Sequence, residues 1–111
     1  MRDHRLYLDD IREAAKRIDS YAEGFSIARF KKNTLVVDAV VRNLEIIGEA
    51  IKHIPVQIRK KHPEIEWKKI AGLRDILAHE YFGIDVDVVW DIVNNKLPTL
   101  RKQVRRLLNE K

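Results

Sequence analysis

The stretch TLVVDAVVRNLEIIGEAIKHI, residues 34–54, carries the most regular apolar pattern in the chain. Its apolar residues alternate three and four positions apart, which is the spacing of one buried stripe along a helix in a bundle: Val37, Val40, Leu44, Ile47, Ile51 and Ile54. Asn33 or Thr34 can cap this helix at its start, and Pro55 stops it. The stretch therefore predicts a long bundle helix.

Three more stripes of this kind follow from the rest of the sequence. A helix over about residues 4–23, ended by Gly24, carries Tyr7, Ile11, Ala14, Ile18 and Tyr21. A helix over about residues 66–80 carries Trp67, Ile70, Leu73 and Leu77. A last helix, capped by Asp85, carries Val86, Val89, Val93, Leu97, Leu100, Val104 and Leu107.

The connecting segments are short. Residues 26–32 are predicted to form a short polar link that can include one helical turn, and residues 56–61 a short helix ended by His62-Pro63. Pro98 lies inside the last stripe and should kink that helix, because it cannot donate to the carbonyl of Asn94. The prediction is a single all-α domain over residues 1–111, an antiparallel four-helix bundle with one short extra helix.

The composition limits the kind of partner. Lysine and arginine number 22 against 17 aspartate and glutamate, giving a net charge of +5 and a pI near 9.6. This favours an anionic partner, and nucleic acid, an acidic protein and a membrane surface all stay open. The chain has no cysteine, no apolar signal core at its start, and no apolar run near the ~20 residues of a transmembrane span. We expect a cytoplasmic protein that does not enter the membrane.

The segment RDILAHEY, residues 74–81, carries residue types suited to phosphodiester cleavage. Arg74 is a fixed cation for a phosphate, His79 can transfer a proton, and Tyr81 places a phenol beside them. Asp75 stands four residues before His79 and can hold one imidazole nitrogen. On a straight helix Arg74 and His79 point about 140° apart, so convergence needs the arginine stem to swing across or the helix to unwind near Glu80.

A purely structural interpretation of this segment is also open. In this interpretation the charge of protonated His79 interacts favourably with the dipole at the helix C-terminus, and Arg74 is a solvated surface charge. The chemistry itself favours a dimer, because cleavage without a metal needs both a base and an acid, and each chain supplies one histidine in this segment. The other histidines show no metal-ligand spacing, so neither a metal nor another cofactor is expected.

Charged residues elsewhere allow two interpretations each. Asp38, Arg42, Glu45 and Glu49 follow one face of the second long helix, either as a surface salt-bridge stripe or as a partner surface in which Arg42 and Glu49 reach the cleft. Two basic clusters are either solvated faces or surfaces that follow RNA phosphates. The first comprises residues 59–62, Lys68 and Lys69; the second comprises Arg101, Lys102, Arg105, Arg106 and Lys111.

The pattern Arg74-x4-His79-x-Tyr81 resembles the R-x4-H-x-Y signature of the HepT-like toxins, in the HEPN superfamily of helical-bundle ribonucleases. Family-like segments also occur at residues 42–50, 67–75, 88–93 and 97–98, so the resemblance spans about residues 4–108. It implies a homodimer with metal-independent endoribonuclease activity in which Arg74 and His79 are catalytic.

The resemblance also implies a partner. In that family a minimal nucleotidyltransferase antitoxin of the MntA type transfers AMP to the motif tyrosine, here Tyr81, and so blocks the site in a type VII-like pair. Two other functions stay open: a non-catalytic binding subunit of a nucleotidyltransferase complex, and a basic helical RNA-binding protein without chemistry.

Overall fold

The computed structural model describes residues 3–78 and 85–110, with the side chains of residues 74–78 left aside. Within these ranges the chain forms helices and turns and no strand. The helices are α1 (His4–Ala22), α2 (Ile27–Lys32), α3 (Thr34–Lys52), α4 (Val56–Lys61), α5 (Trp67–Ala78), α6 (Val86–Asp91) and α7 (Leu97–Asn109), with a π-helical segment, Ile92–Lys96, joining α6 to α7. None of the described helices has the length and apolarity needed to cross a membrane.

The long helices form the predicted four-helix bundle around α3. That helix packs against α1 on one side and α5 on the other, and α1 also packs against α7. Tyr7, near the start of α1, stacks on His53, just after the end of α3, with ring centroids 4.6 Å apart. Arg101, near the start of α7, pairs with Asp19, near the end of α1. Both contacts join opposite ends of neighbouring helices, so these pairs are antiparallel, as predicted.

The predicted helix boundaries follow from side-chain caps and one glycine. Asn33 accepts a hydrogen bond from the Val36 N–H at 3.1 Å, and Asp85 accepts from the Asp87 and Val88 N–H groups at 3.0 and 3.3 Å. Gly24 follows α1 with a φ of +77°, a conformation that a glycine adopts without the steric cost of a β-carbon. Asn33, Asp85 and Gly24 therefore confirm the boundaries predicted from sequence.

The prediction for residues 26–32 was wrong in one respect. These residues are more than a polar link, because Ser26 caps the six-residue helix α2 and Phe30 in its centre is fully buried. The Phe30 ring packs against Trp90, with centroids 5.0 Å apart. The bundle therefore has two short extra helices, α2 and α4, where one was expected.

Tyr21 also departs from its prediction. Ile11, Ala14 and Ile18 are buried as expected, but Tyr21 is 38% exposed and Leu8 is buried instead. A stripe of alternating three- and four-residue steps drifts by about 20° every seven residues around a straight helix. By the last turn of α1 the stripe has therefore rotated away from the core.

The distortion predicted at Pro98 takes the form of a widened turn. The π-helical segment Ile92–Lys96 ends immediately before α7, whose first turn contains Pro98. Proline lacks the N–H that a regular helix would need there, and its ring crowds the preceding turn. A π-helical turn absorbs both effects without ending the helix. The apolar stripe continues through it, with Val93, Leu97 and Leu100 all buried.

We expect Phe30→Ala to lower the free energy of unfolding by about 3–5 kcal/mol, because it empties a fully buried site between α2 and α6. Phe25→Ala, a matched change at a half-buried position just before α2, should cost clearly less. Denaturant titration of both variants measures this difference. Equal decreases in the two variants would show that α2 is not part of the core.

Candidate active site

The helix α5 carries the candidate catalytic segment and is anchored at its start. Trp67 is buried, and its indole N–H donates to the His62 carbonyl at 2.9 Å. Ile65, in the turn before α5, is also buried. Since α5 then packs along α3, its backbone is held by the bundle as it approaches Arg74.

Two of the predicted site residues fall in the second half of this helix. Arg74 and Asp75 lie on the α5 backbone, and their side chains are among those left aside. His79, Tyr81 and the predicted end of the helix at residue 80 lie outside the described residues. Their roles in catalysis and modification therefore remain predictions from sequence.

The other two predicted contacts, Arg42 and Glu49, lie on the outer face of α3. Arg42 is 73% exposed, and among the side chains described its one ion pair joins it to Glu45 at 3.9 Å. Glu49 lies 3.6 Å from the Nε2 atom of His53, and both side chains are about half exposed. This geometry supports the salt-bridge interpretation of the stripe and leaves Arg42 accessible to a partner.

A groove of about 470 Å³ runs between α5 and the last helix. Leu44 and Ile47 of α3 contribute to its lining, as do Ile70 and Leu73 from α5 and Leu100 from α7. Leu73 directly precedes Arg74, so the groove reaches the candidate segment. Sequence reasoning could not find the groove, because the apolar stripes of α5 and α7 are equally consistent with close packing.

Charged side chains of both signs line the polar edge of this groove: Glu64, Glu66, Lys69 and Lys96. Glu66 lies 2.9 Å from the Lys69 ammonium and 4.0 Å from that of Lys96. The hydrogen bond from Lys69, helped by the charges of both lysines, lowers the pKa of Glu66. A backbone hydrogen bond lowers the pKa of Glu64, and His62 adds to the effect. Since Lys69 and Lys96 offset the charges of the two glutamates, the charged residues that line the groove nearly balance, and the groove shows no excess charge that would favour a phosphate.

The first basic cluster is partly committed to holding the fold together. Arg59 donates to the Ile51 carbonyl at 2.8 Å and to the Ile54 carbonyl at 3.0 Å, which satisfies groups at the end of α3. His62 lies between two carboxylates, with Nδ1 3.2 Å from Glu64 and Nε2 3.2 Å from Glu110. These contacts favour a structural interpretation for Arg59 and His62.

A metal centre has no support in the described part of the chain. There, no group of three or more histidine, cysteine, aspartate or glutamate side chains is placed to hold a metal ion.

The all-helical bundle, with the R-x4-H-x-Y pattern beginning on α5, defines a HEPN-like helical protein. Residues 11–107 match the model of the family described as ribonuclease HepT-like, and the chain belongs to this family. Family membership makes the protein a ribonuclease.

Relatives of known sequence agree over nearly the whole chain. A protein of Thermococcus cleftensis named "Probable ribonuclease HepT" is 42% identical over 106 residues, which cover 96% of each chain. A protein of Caldanaerobacter subterraneus subsp. tengcongensis named "Putative RNase" is 40% identical over 110 residues, covering 99% of this chain and 98% of that one. No solved structure matches the chain significantly.

We expect Arg59→Ala to lower the free energy of unfolding by about 1–3 kcal/mol, because it leaves two carbonyls at the end of α3 without their charged donor. Lys60→Ala removes the same charge from an exposed neighbour and should stay within about 0.5 kcal/mol of the parent. Thermal and denaturant unfolding of the two variants give the comparison. A destabilisation by Lys60→Ala as large as that by Arg59→Ala would contradict the capping role.

Proposed function

We propose that this protein is the toxin of a type VII-like toxin–antitoxin pair, an endoribonuclease that cuts RNA without a metal. The observation that carries the proposal is the HepT-like family match over residues 11–107, which includes an intact Arg74-x4-His79-x-Tyr81 motif. The anchored position of α5 supports it, because a catalytic group needs a rigid element to hold its position.

The reaction starts with removal of a proton from a ribose 2′-hydroxyl. The 2′-oxygen attacks the adjacent phosphorus, the bond from phosphorus to the 5′-oxygen breaks, and that oxygen takes up a proton. The products are a 2′,3′-cyclic phosphate and a 5′-hydroxyl. In this scheme His79 transfers the protons, Arg74 binds the phosphate and its developing charge, and Asp75 orients the His79 ring.

A homodimer would complete this chemistry. One His79 cannot serve as base and acid at the same moment, whereas a two-fold pair of chains supplies two histidines and two arginines to one phosphate. Arg42 and Glu49 lie on an exposed face of α3, where a second chain or the RNA can reach them.

Regulation would act through Tyr81. A nucleotidyltransferase antitoxin of the MntA type would bind this chain, and the Tyr81 phenol oxygen would attack the α-phosphorus of ATP. Pyrophosphate leaves, the phenol proton is released, and AMP stays attached through a phosphodiester. The added bulk and negative charge would occupy the place that the RNA phosphate needs beside Arg74.

We expect His79→Ala and Arg74→Ala each to reduce RNA cleavage by about 10²–10⁴-fold, since each removes a group that acts in the transition state. The assay uses purified protein and unmodified RNA in the presence of EDTA, with growth inhibition as a second readout. His53→Ala, a histidine just after α3 and outside the motif, is the control. Full activity in His79→Ala would refute the catalytic assignment and favour a non-catalytic binding subunit.

Co-expression with a neighbouring nucleotidyltransferase gene should add one or more AMP-sized increments to the intact mass, and peptide mapping should place the first on Tyr81. Tyr81→Phe should show no such increment and should escape silencing. Tyr7→Phe is the matched control, because Tyr7 lies on α1 and stacks on His53. A stable complex with unmodified Tyr81 would mean that the partner inhibits by docking alone.

A further inference from the structure

The last helix carries an excess of positive charge. Over Leu97–Asn109, α7 carries Arg101, Lys102, Arg105 and Arg106 and no carboxylate. The whole chain has a net charge of +5, so this single helix holds a charge of nearly the same size. A helix with this balance of charges attracts anions.

Part of this charge faces a second basic row on α1. An open cleft of about 540 Å³ between the two helices is lined by Arg12 and Lys16 of α1 and Arg101 and Arg105 of α7, with Asp9 as its one carboxylate among the described residues. Within each pair the residues are four apart, so they follow one another by about 6 Å along their helix. The α1 row could not be foreseen from sequence, because α1 also carries four carboxylates.

The contacts of these four residues divide them into two kinds. Arg12 is held by Asp9, at 3.0 Å from Nε, and lies 3.4 Å from Glu13, while Arg101 is paired with Asp19. Lys16 and Arg105 are exposed, and no ion pair is found for either among the described side chains. The cleft thus holds two positioned arginines and two cations free to bind an anion.

The frame of the cleft is well defined. Arg5, at the start of α1, donates to the carbonyls of Leu108 and Glu110 at the end of α7, so the two helices are tied together there. The Arg101–Asp19 pair ties them at the other end. The basic rows therefore keep their spacing without a bound partner.

We propose that this α1–α7 cleft binds the phosphate backbone of RNA at a distance from the bond that is cut. This proposal rests on the proposed ribonuclease function. Leu100 and Gln103 of α7 line the groove beside α5, whereas Arg101 and Arg105 line the cleft beside α1. The two lie on different flanks of α7. RNA held in the cleft would extend beyond the nucleotides at the Arg74 segment, and the binding would be independent of base sequence.

The shape and composition of the cleft favour a nucleic-acid strand over a membrane surface. Membrane-surface binding combines positive charge with exposed apolar side chains that enter the lipid. The large apolar residues that are exposed in the described chain, among them Leu35, Val56 and Val88, do not line this cleft. A concave row of guanidinium and ammonium groups is instead suited to the phosphates of a strand.

The test is a binding titration in which cleavage cannot occur. A labelled single-stranded RNA with a 2′-O-methyl group on every ribose keeps its phosphates but lacks the attacking hydroxyl. Fluorescence anisotropy at several salt concentrations gives the slope of log affinity against log salt. We expect Lys16→Gln/Arg105→Gln to weaken binding about tenfold or more and to reduce this slope by about 1.4, or ~0.7 for each phosphate that the variant no longer neutralises.

Two further variants make the result specific. Arg29→Gln/Lys32→Gln removes one guanidinium and one ammonium from exposed positions on α2, outside both basic clusters and the cleft, and should bind nearly as the parent does. Lys16→Arg/Arg105→Lys keeps both charges and should restore binding. An unchanged slope in the cleft variant, or an equal weakening in the control, would overturn the proposal.

Cleavage of unmodified RNA by the parent protein separates this proposal from the proposed function. Cleft-dependent binding without cleavage would support the cleft and refute the endoribonuclease. Cleavage by the parent protein together with full binding by the cleft variant would support the endoribonuclease and refute the role of the cleft.

Discussion

The burial of one stripe on α3 is the constraint on which the rest of the structure depends. Val40, Leu44, Ile47 and Ile51 have no exposed surface, and the helix that carries them packs against both α1 and α5. Each such side chain contributes roughly 1.5–3 kcal/mol when it leaves water. Because α5 takes its position from α3, the place of the candidate catalytic segment is set by packing at some distance from the chemistry.

Asn43 is a polar exception among the buried residues of α3. It donates to the Ala39 carbonyl at 2.9 Å, and its Oδ1 has no hydrogen-bond partner in the described chain.

The positive charges of the chain divide by what they contact. Near α5, Arg59 donates hydrogen bonds to carbonyls at the end of α3, and Lys69 and Lys96 form ion pairs with Glu66. On α7, Arg105 keeps its charge exposed to solvent. A count of basic residues along the sequence treats the two clusters alike. Only the contacts distinguish side chains whose charge stabilises the fold from side chains whose charge is available to neutralise a phosphate. Neutralising a phosphate releases the counterions condensed on the nucleic acid.

Periodicity predicted the helices because each apolar stripe must be buried, and packing the four long helices together buries all of them. It was less successful where a single residue decides. Phe30 lies in a segment rich in arginine and lysine that has no apolar stripe. The packing of its ring against Trp90 could therefore not be predicted from periodicity. Tyr21 continues a stripe in sequence but not in space, since the stripe has rotated away from the core by the last turn of α1.

For the site, residue type and spacing single out Arg74, Asp75, His79 and Tyr81, while spacing on a straight helix does not bring Arg74 and His79 together. The α1–α7 cleft was invisible because its two rows lie about ninety positions apart in the chain.

Separating affinity from chemistry has a physical consequence for a small ribonuclease. A single segment with one histidine and one arginine can stabilise a transition state, but it offers too few phosphate contacts to hold an RNA at physiological salt. In the proposal made above, the basic cleft between α1 and α7 would supply those contacts on a different flank of α7 from the groove beside α5. If the α1–α7 cleft binds RNA as proposed, affinity and chemistry would depend on different helices, and the charge that binds the strand could vary without changing the groups that transfer protons.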